Sequence, residues 1–422
     1  MPMPRTKKTT KSSEKEKILQ PELNIGMVGH VDHGKTTLLE SLSGIWTDTH
    51  SEEIKRGITI RLGYADATFY KEGKEYTAKP KDKSKAKVLR RVSFVDAPGH
   101  ESLMATMLSG ATIVDGALLL IAANEDCPQP QTREHLMALQ IVGIKHIVIV
   151  QNKIDLVDEK TALQNYKQIK DFVKGTSYEN APIVPLSAQH KAGISTLIKT
   201  IEETILTPKR DKSKDPIMLV ARSFDINRPG TLPKDLRGGI LGGGMRQGVL
   251  KTGQEVEIKP GRKVMEKNKE VFKHITTKII GLSYAHDSVK EISPGGTVGI
   301  LTSLDPSIVK SDSLSGSIVG LPGKLPDTLY EITLAPNLLG RVVGTREELK
   351  VEPIKISETL MLTVNSAATV GIVIELKKKK VICKLKIPIC AEINSRVTIS
   401  RNIGNRFRLI GYGEIVEGKT SL

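Results

Sequence analysis

At 422 residues the chain is long enough for two to four domains of roughly 100 to 200 residues each and too long for a peptide-like module. Lysine and arginine number 63 against 47 aspartates and glutamates, and the net charge of +16 favours a polyanionic partner such as nucleic acid over the role of a neutral-metabolite enzyme. Three cysteines, Cys127, Cys383 and Cys390, are too few and too far apart for a disulfide framework or a four-cysteine zinc site, which points to a reducing compartment.

Residues 1–20, MPMPRTKKTTKSSEKEKILQ, are charged and lack the apolar stretch of a signal peptide. The longest clean apolar run, Ala117 to Ala123, is far shorter than the ~20 residues that span a bilayer. A soluble, cytoplasmic protein with no membrane partner is expected.

From Leu23 to about Leu206 short apolar runs alternate with helical stretches. LNIGMVG at Leu23 to Gly29, VSFVDA at Val92 to Ala97, GALLLIAA at Gly116 to Ala123, HIVIVQN at His146 to Asn152 and APIVPLSA at Ala181 to Ala188 read as strands buried on both faces. Between them, Thr36 to Ser43, Glu101 to Ser109, Gln131 to Val142, Thr161 to Lys174 and Ile194 to Ile205 have helical apolar spacing. The pattern predicts a doubly wound α/β domain with a mainly parallel sheet covered on both sides. TPKRDKSKDP, Thr207 to Pro216, is polar, charged and without period, as a linker would be. Beyond it glycine and proline punctuate short β-rich segments, with a second shift near Leu321 to Leu334. Two successive β-barrels are the economical reading, because closure removes exposed sheet edges; one large β domain is the alternative. The expected division is a basic tail over 1–20, a nucleotide-binding domain over 21–209, and barrels over 210–326 and 327–422.

GHVDHGKT, Gly29 to Thr36, fits G-x-x-x-x-G-K-S/T and sits between a predicted strand and a predicted helix. Its glycines let backbone N–H groups curl around phosphate at a helix N-terminus. Lys35 would reach the β and γ phosphates, and Thr36 would bind magnesium. DAPGH, Asp96 to His100, follows the next buried strand: Asp96 can hold magnesium through water, and Gly99 can offer its N–H to the γ-phosphate and act as a pivot. NKID, comprising Asn152, Lys153, Ile154 and Asp155, ends another strand. An aspartate there accepts both guanine N1–H and N2–H₂, a pattern adenine lacks, so the site selects GTP over ATP. SAQ at Ser187, Ala188 and Gln189 completes the set, with the Ala188 N–H suited to guanine O6. In RGITI, Thr59 would complete the magnesium shell only while γ-phosphate is present, which makes this segment a switch.

The ordered set GHVDHGKT, RGITI, DAPGH, NKID and SAQ resembles the translational GTPases of the elongation factor Tu kind, which place such a domain before two barrels. HSEEIKRGITIRLGYA, SFVDAPGHESLMATMLSGATIVDGALLLIAANEDCPQPQTREHLMAL and VARSFDINRPGTLPKDLRGGILGGGMRQGVLKTGQEVEIKPG closely resemble the archaeal translation initiation factor 2 gamma-subunit family. TREELKVEPIKISETLMLTVNSAATVGIV extends the likeness into the last barrel. The resemblance implies a heterotrimer with alpha and beta subunits, carriage of initiator methionyl-tRNA to the small ribosomal subunit, and GTP hydrolysis on start-codon recognition. It also implies that Asp32, His33, Gly34, Lys35, Thr36 and Thr37 contact the phosphates of GTP or GDP. A second magnesium lies near Asp32 and Gly57 by the same resemblance, and His100 positions the attacking water.

One departure stands out. The family commonly carries two cysteine pairs as a zinc knuckle between the switch and DAPGH, whereas Phe69 to Arg91 here contains no cysteine. Zinc is not expected, and this stretch reads as a lysine-rich insertion of uncertain order. Its Lys79 to Arg91 portion holds seven positive residues against Asp82. With Arg5 to Lys17 and with Lys377 to Lys380, Lys384 and Lys386, it forms one of three basic clusters that could attract RNA phosphate without reading sequence. Catalysis is expected from His100 orienting water and Lys35 offsetting charge. No internal arginine finger is visible, so intrinsic turnover should be slow and rise in the assembled complex. The rival reading is an elongation-type or selenocysteine-specific aminoacyl-tRNA carrier. A further RNA-binding extension would favour that reading, and the sequence ends at Leu422 after the second barrel.

Overall fold

A computed structural model describes residues 20–45, 63–96, 113–228, 230–266, 269–284, 287–342, 349–404 and 406–421. Gly57, Thr59, Gly99 and His100, the helix expected over Glu101 to Ser109, and the basic stretch of residues 1–19 lie outside them.

The first sheet contains β1 (Leu23–Gly29), β2 (Gly63–Glu72), β3 (Glu75–Thr77), β4 (Lys87–Asp96), β5 (Gly116–Ala122), β6 (His146–Asn152) and β7 (Ile183–Pro185), in the order β3-β2-β4-β1-β5-β6-β7. The run from β4 to β7 is parallel, while β2 is antiparallel to both β3 and β4. Helices α1 (Lys35–Ser43), α2 (Pro130–Val142), α3 (Glu159–Val173) and α4 (Ile194–Thr204) connect the strands. Alternation along β5 sorts them by face. Leu118 and Leu120 join Leu38, Leu39, Leu197 and Ile201 of α1 and α4. Leu119 and Ile121 join Leu136, Leu139, Ile169 and Val173 of α2 and α3. Each such fully buried side chain contributes roughly 1.5–3 kcal/mol, so the apolar β5 is held from both sides.

Two local outcomes differ from expectation. The strand foreseen over Ala181 to Ala188 shrinks to Ile183–Pro185, because Pro182 and Pro185 lack the N–H a ladder needs and are tolerated only at this sheet edge. The lysine-rich insertion is ordered at both ends: its flanks complete β2 and β4, with β3 between. In β2, Ala65, Ala67 and Phe69 point inward in strict alternation, and the Phe69 ring lies 6.4 Å from that of Phe94.

Two closed barrels follow, each of six antiparallel strands. The first comprises Ile217–Phe224, Ile240–Gln247, Glu255–Glu266, Lys269–Tyr284, Thr297–Thr302 and Ile318–Gly320, closed by pairing of Glu255–Glu266 with Lys269–Tyr284. The second comprises Thr328–Leu338, Thr359–Val364, Ala367–Lys377, Lys380–Cys390, Arg396–Ile403 and Arg406–Lys419, closed by its first and last strands. Each has its own apolar core. The linker has no helix or strand, yet Arg210 pairs with Asp115 of the first sheet's domain. From the second barrel, Arg408 Nη1 lies 2.7 Å from Glu134 Oε1, and Arg396 Nη1 donates to the Ile141 carbonyl at 2.7 Å. Helix α2 is thereby fixed between the sheet and the second barrel. All three cysteines carry free thiols. No helix among the described residues is long and apolar enough to cross a membrane.

Candidate guanine-nucleotide site

Residues 29–34 join β1 to α1, and two glycines make the path possible. At Gly29 (φ 145°) an added Cβ would lie 2.4 Å from the Leu120 carbonyl oxygen; at Gly34 (φ 86°) it would lie 2.4 Å from Asn152 Nδ2. Asp32, between them, also sits at positive φ (60°) and is exposed. Gly34 is the N-cap of α1, with no side chain to claim the first amides and no acidic residue in the first turn. Those amides and the helix dipole suit an anion.

The rest of the loop is anchored from behind. His33 is wholly buried, and its Nδ1–H donates to the Leu120 carbonyl at 3.0 Å. Burial pulls its pKa down to about 4, so the ring is neutral at physiological pH. Lys35 is only 7% exposed, its ammonium donating to the carbonyls of Gly29 (3.0 Å) and His30 (2.7 Å). The loop's own backbone therefore holds this cation at its mouth. Thr36 Oγ1 donates to Asp96 Oδ2 at 3.1 Å, joining α1 to the end of β4. A hydroxyl and a carboxylate beside a phosphate loop form the hard-oxygen donor set that Mg²⁺ prefers, with phosphate and water left to complete its shell.

Asn152 joins the phosphate and base ends. Its Nδ2 donates to the His33 carbonyl at 3.0 Å and its Oδ1 accepts from the Ala188 N–H at 3.0 Å. The Ala188 amide, expected to face guanine O6, is thus engaged by Asn152. Lys153 adopts a left-handed backbone (φ 62°), and Ile154 opens the short turn Ile154–Leu156. This turn presents Asp155. The Ser187 hydroxyl holds the Asp155 carboxyl below its usual range, so it stays ionised, and His190 Nε2 lies 3.6 Å away. Thr37, Ala188 and Gln189 line one recess of about 320 Å³, which Lys79 and Lys191 flank. Of the residues marked out in the sequence, the described ones converge here from four segments; Gly57, Thr59, Gly99 and His100 lie outside the described residues.

Sequence reasoning missed His135. It lies on the buried stripe of α2, where a histidine looks like ordinary core, but its Nδ1 accepts the Gly29 N–H at 2.8 Å. Burial drives its pKa down to about 3, which keeps that lone pair available. The neighbouring Glu134 is the partner of Arg408, so one helical turn touches both the phosphate loop and the second barrel. His135 lies 106 residues from Gly29 in sequence, which leaves no local signal.

Residues 20–207 match the family described as elongation factor Tu GTP binding domain, and residues 330–415 match initiation factor eIF2 gamma, C terminal. Translation initiation factor 2 subunit gamma of Methanocaldococcus jannaschii is 59% identical over 408 residues, covering 96% of this chain and 99% of the relative. The protein of the same name from Pyrococcus furiosus is 57% identical, covering 96% and 100%. Among solved structures, bacterial selenocysteine-specific elongation factor EF-Sec superposes with a TM-score of 0.73 at 24% identity, over 96% of this chain and 59% of that one. Elongation factor SelB from Methanococcus maripaludis, solved with the GTP analogue GppNHp, gives 0.69 at 23%, over 95% and 80%. At those identities the two structures speak for the fold alone.

Proposed function

The chain belongs to the translation initiation factor 2 gamma-subunit family of GTP-hydrolysing translation factors, and from that premise we propose that it carries initiator methionyl-tRNA to the small ribosomal subunit, in the cytoplasm, as one subunit of a heterotrimer with alpha and beta partners. GTP is its substrate and GDP its product. The observation that carries the site assignment is the double hydrogen bond of Asn152, which sets the phosphate loop and the guanine corner at a fixed separation. The domain limits we propose are 21–209, 210–326 and 327–422, behind a tail over 1–20.

In this reading Asp155 accepts from the guanine edge, while Ser187 keeps it charged and oriented. The α1 amides, with Thr37, hold the α and β phosphates. Lys35 directs its ammonium at the β and γ oxygens, where charge builds as the bond to γ-phosphate lengthens. Thr36 and Asp96 would hold Mg²⁺, which when bound supplies positive charge beside those oxygens; Asp32, Gly57 and Thr59 are further candidate ligands from the sequence. His100 orients the attacking water, and Gly99 and Thr59 register the γ-phosphate. The lysine-rich segment contains no zinc-binding cysteine pair, and zinc has no part in this mechanism.

Single-turnover GTP hydrolysis by the trimer on ribosomal initiation complexes tests the catalytic assignment. His100→Ala should slow the step by about 10² or more while leaving GTP affinity within about twofold. Equal rates would remove His100 from the mechanism. Filter binding in the trimer, GTP against GDP and initiator against elongator tRNA, tests the cargo. Indifference to both contrasts would defeat the carrier reading, and preference for elongator tRNA would restore the elongation-type alternative.

A further inference from the structure

The second barrel carries an exposed aliphatic row bordered by lysines. Ile356, Ile372, Ile374 and Leu376 expose 62%, 46%, 44% and 39% of their surface, so the row is as open as many charged side chains. The last three lie on strand Ala367–Lys377, where a register shift between Val373 and Glu375 makes Ile374 the bulged residue. Thr359 pairs with Ile372, and the Ser357 N–H donates to the Val373 carbonyl, which brings Ile356 alongside. On the next strand Lys384 stands opposite Ile372, and the exposed Lys386 follows two positions on. Among the described residues no acidic side chain forms an ion pair with either lysine. The two nearby glutamates are engaged: Glu375 with Lys377 at 3.1 Å, and Glu331 with Lys419.

We propose that this face docks an acidic amphipathic helix of another protein. Both edges of strand Ala367–Lys377 are paired inside a closed barrel, so a partner cannot add a strand and must lie across the face. From Ile372 to Leu376 the row runs about 13 Å at ~3.3 Å per strand residue, the length of roughly nine helical residues at ~1.5 Å each. Apolar side chains spaced three and four apart on one helix face therefore match the row, with glutamates or aspartates on the flank facing Lys384 and Lys386. Charge argues against the other occupants. The chain's own residues 1–19 are basic, with Arg5, Lys7, Lys8, Lys11, Lys15 and Lys17. A second copy would offer Lys384 and Lys386 this same face, whose two nearby glutamates are already engaged by Lys377 and Lys419. RNA finds no aromatic or guanidinium plane among these residues to stack on.

The test uses the full-length chain and a fluorescein-labelled designed helical peptide of about 18 residues, leucines on one face and glutamates on the flanks, read by anisotropy. Saturable binding is expected, weakened at least about tenfold by Ile374→Asp and, separately, by the Lys384→Glu, Lys386→Glu pair. Thermal unfolding and GTP hydrolysis should be unchanged in both variants, and a twin peptide with lysines for glutamates should not bind. Absence of binding, or equal binding by wild type and Ile374→Asp, overturns the proposal. So does an RNA oligonucleotide that binds in its place, is lost with the lysine pair and ignores Ile374→Asp. Dimerisation by sedimentation that Ile374→Asp abolishes would assign the face to self-association and overturn it equally.

Discussion

The phosphate loop and the lysine-rich stretch leading into β4 both carry lysine, and they hold its charge in opposite ways. Lys35 is buried, its ammonium fixed by two carbonyls of its own loop. Lys81, Lys83, Lys85 and Lys87 are exposed, and the pair of Lys85 with Asp82 spans 3.4 Å between open side chains. A fixed cation in a low-dielectric site acts on one geometry, whereas exposed cations act on any nearby anion and fade with salt. Removing Lys35 is accordingly the largest effect expected. Lys35→Ala should weaken GTP binding on the order of 100-fold, about 3 kcal/mol, measured by displacement of a fluorescent GDP analogue. A loss below about fivefold would show that the backbone amides alone make the site.

The loop's second support is Asn152, which sharpens the same contrast because it carries no charge. Asn152→Ala removes the bonds to the His33 carbonyl and the Ala188 N–H together, and should reduce nucleotide binding free energy by about 2 to 3 kcal/mol. Asn152→Asp retains the acceptor for Ala188 but turns a buried carboxylate oxygen towards the His33 carbonyl and adds negative charge beside the phosphates, so its affinity should fall below that of Asn152→Ala. If both variants bind as wild type does, the two ends of the site are not held in register through this side chain.

Acid should loosen the loop and leave the lysine stretch untouched. His33 and His135 have folded-state pKa values lowered by burial, to about 4 and about 3, from an ordinary 6.5. Between those values and 6.5 the unfolded chain binds more protons, so stability is full above pH 6.5 and falls as pH drops towards 4. Each histidine can contribute a slope of up to about 1.4 kcal/mol per pH unit in that window. Urea unfolding of the nucleotide-binding domain at stepped pH should show the decline, and His135→Gln should flatten part of it. Superimposable profiles of wild type and His135→Gln from pH 6.5 to 4.5 would contradict the buried neutral state of that ring.

What could be read in the sequence follows from how local each feature is. The phosphate loop, NKID and SAQ are short strings at strand ends, and the strand and helix periods around them identify α1 to α4 within a few residues. Features made by distant partners were hidden. Arg90 and Arg91 count as two of seven cations in a basic cluster, yet Arg90 is buried against Glu202 at 2.6 Å, and Arg91 pairs with Asp66 at 3.1 Å and Asp287 at 2.8 Å. Composition registers their charge and cannot register that three carboxylates neutralise it. The same holds for His135, and for β2, whose alternation of small apolar and polar residues is obscured by the lysines that follow.

The smallest expected effect isolates what remains of that cluster once its arginines are assigned to the core. Lys81→Ser with Lys87→Ser removes two exposed cations and no described contact of the nucleotide site, so GTP affinity should stay within about twofold. If this face meets the backbone of the proposed tRNA cargo, each lost cation releases one fewer counterion. The slope of log affinity against log salt then falls by about 0.7 to 0.9 per lysine, with little change in preference between RNA sequences. Titration of the GTP-bound trimer with initiator tRNA at several salt concentrations reads that slope directly. An unchanged slope would mean that Lys81 and Lys87 stay solvated throughout, in contrast to Arg90 and Arg91, whose charges are spent on ion pairs with Glu202, Asp66 and Asp287.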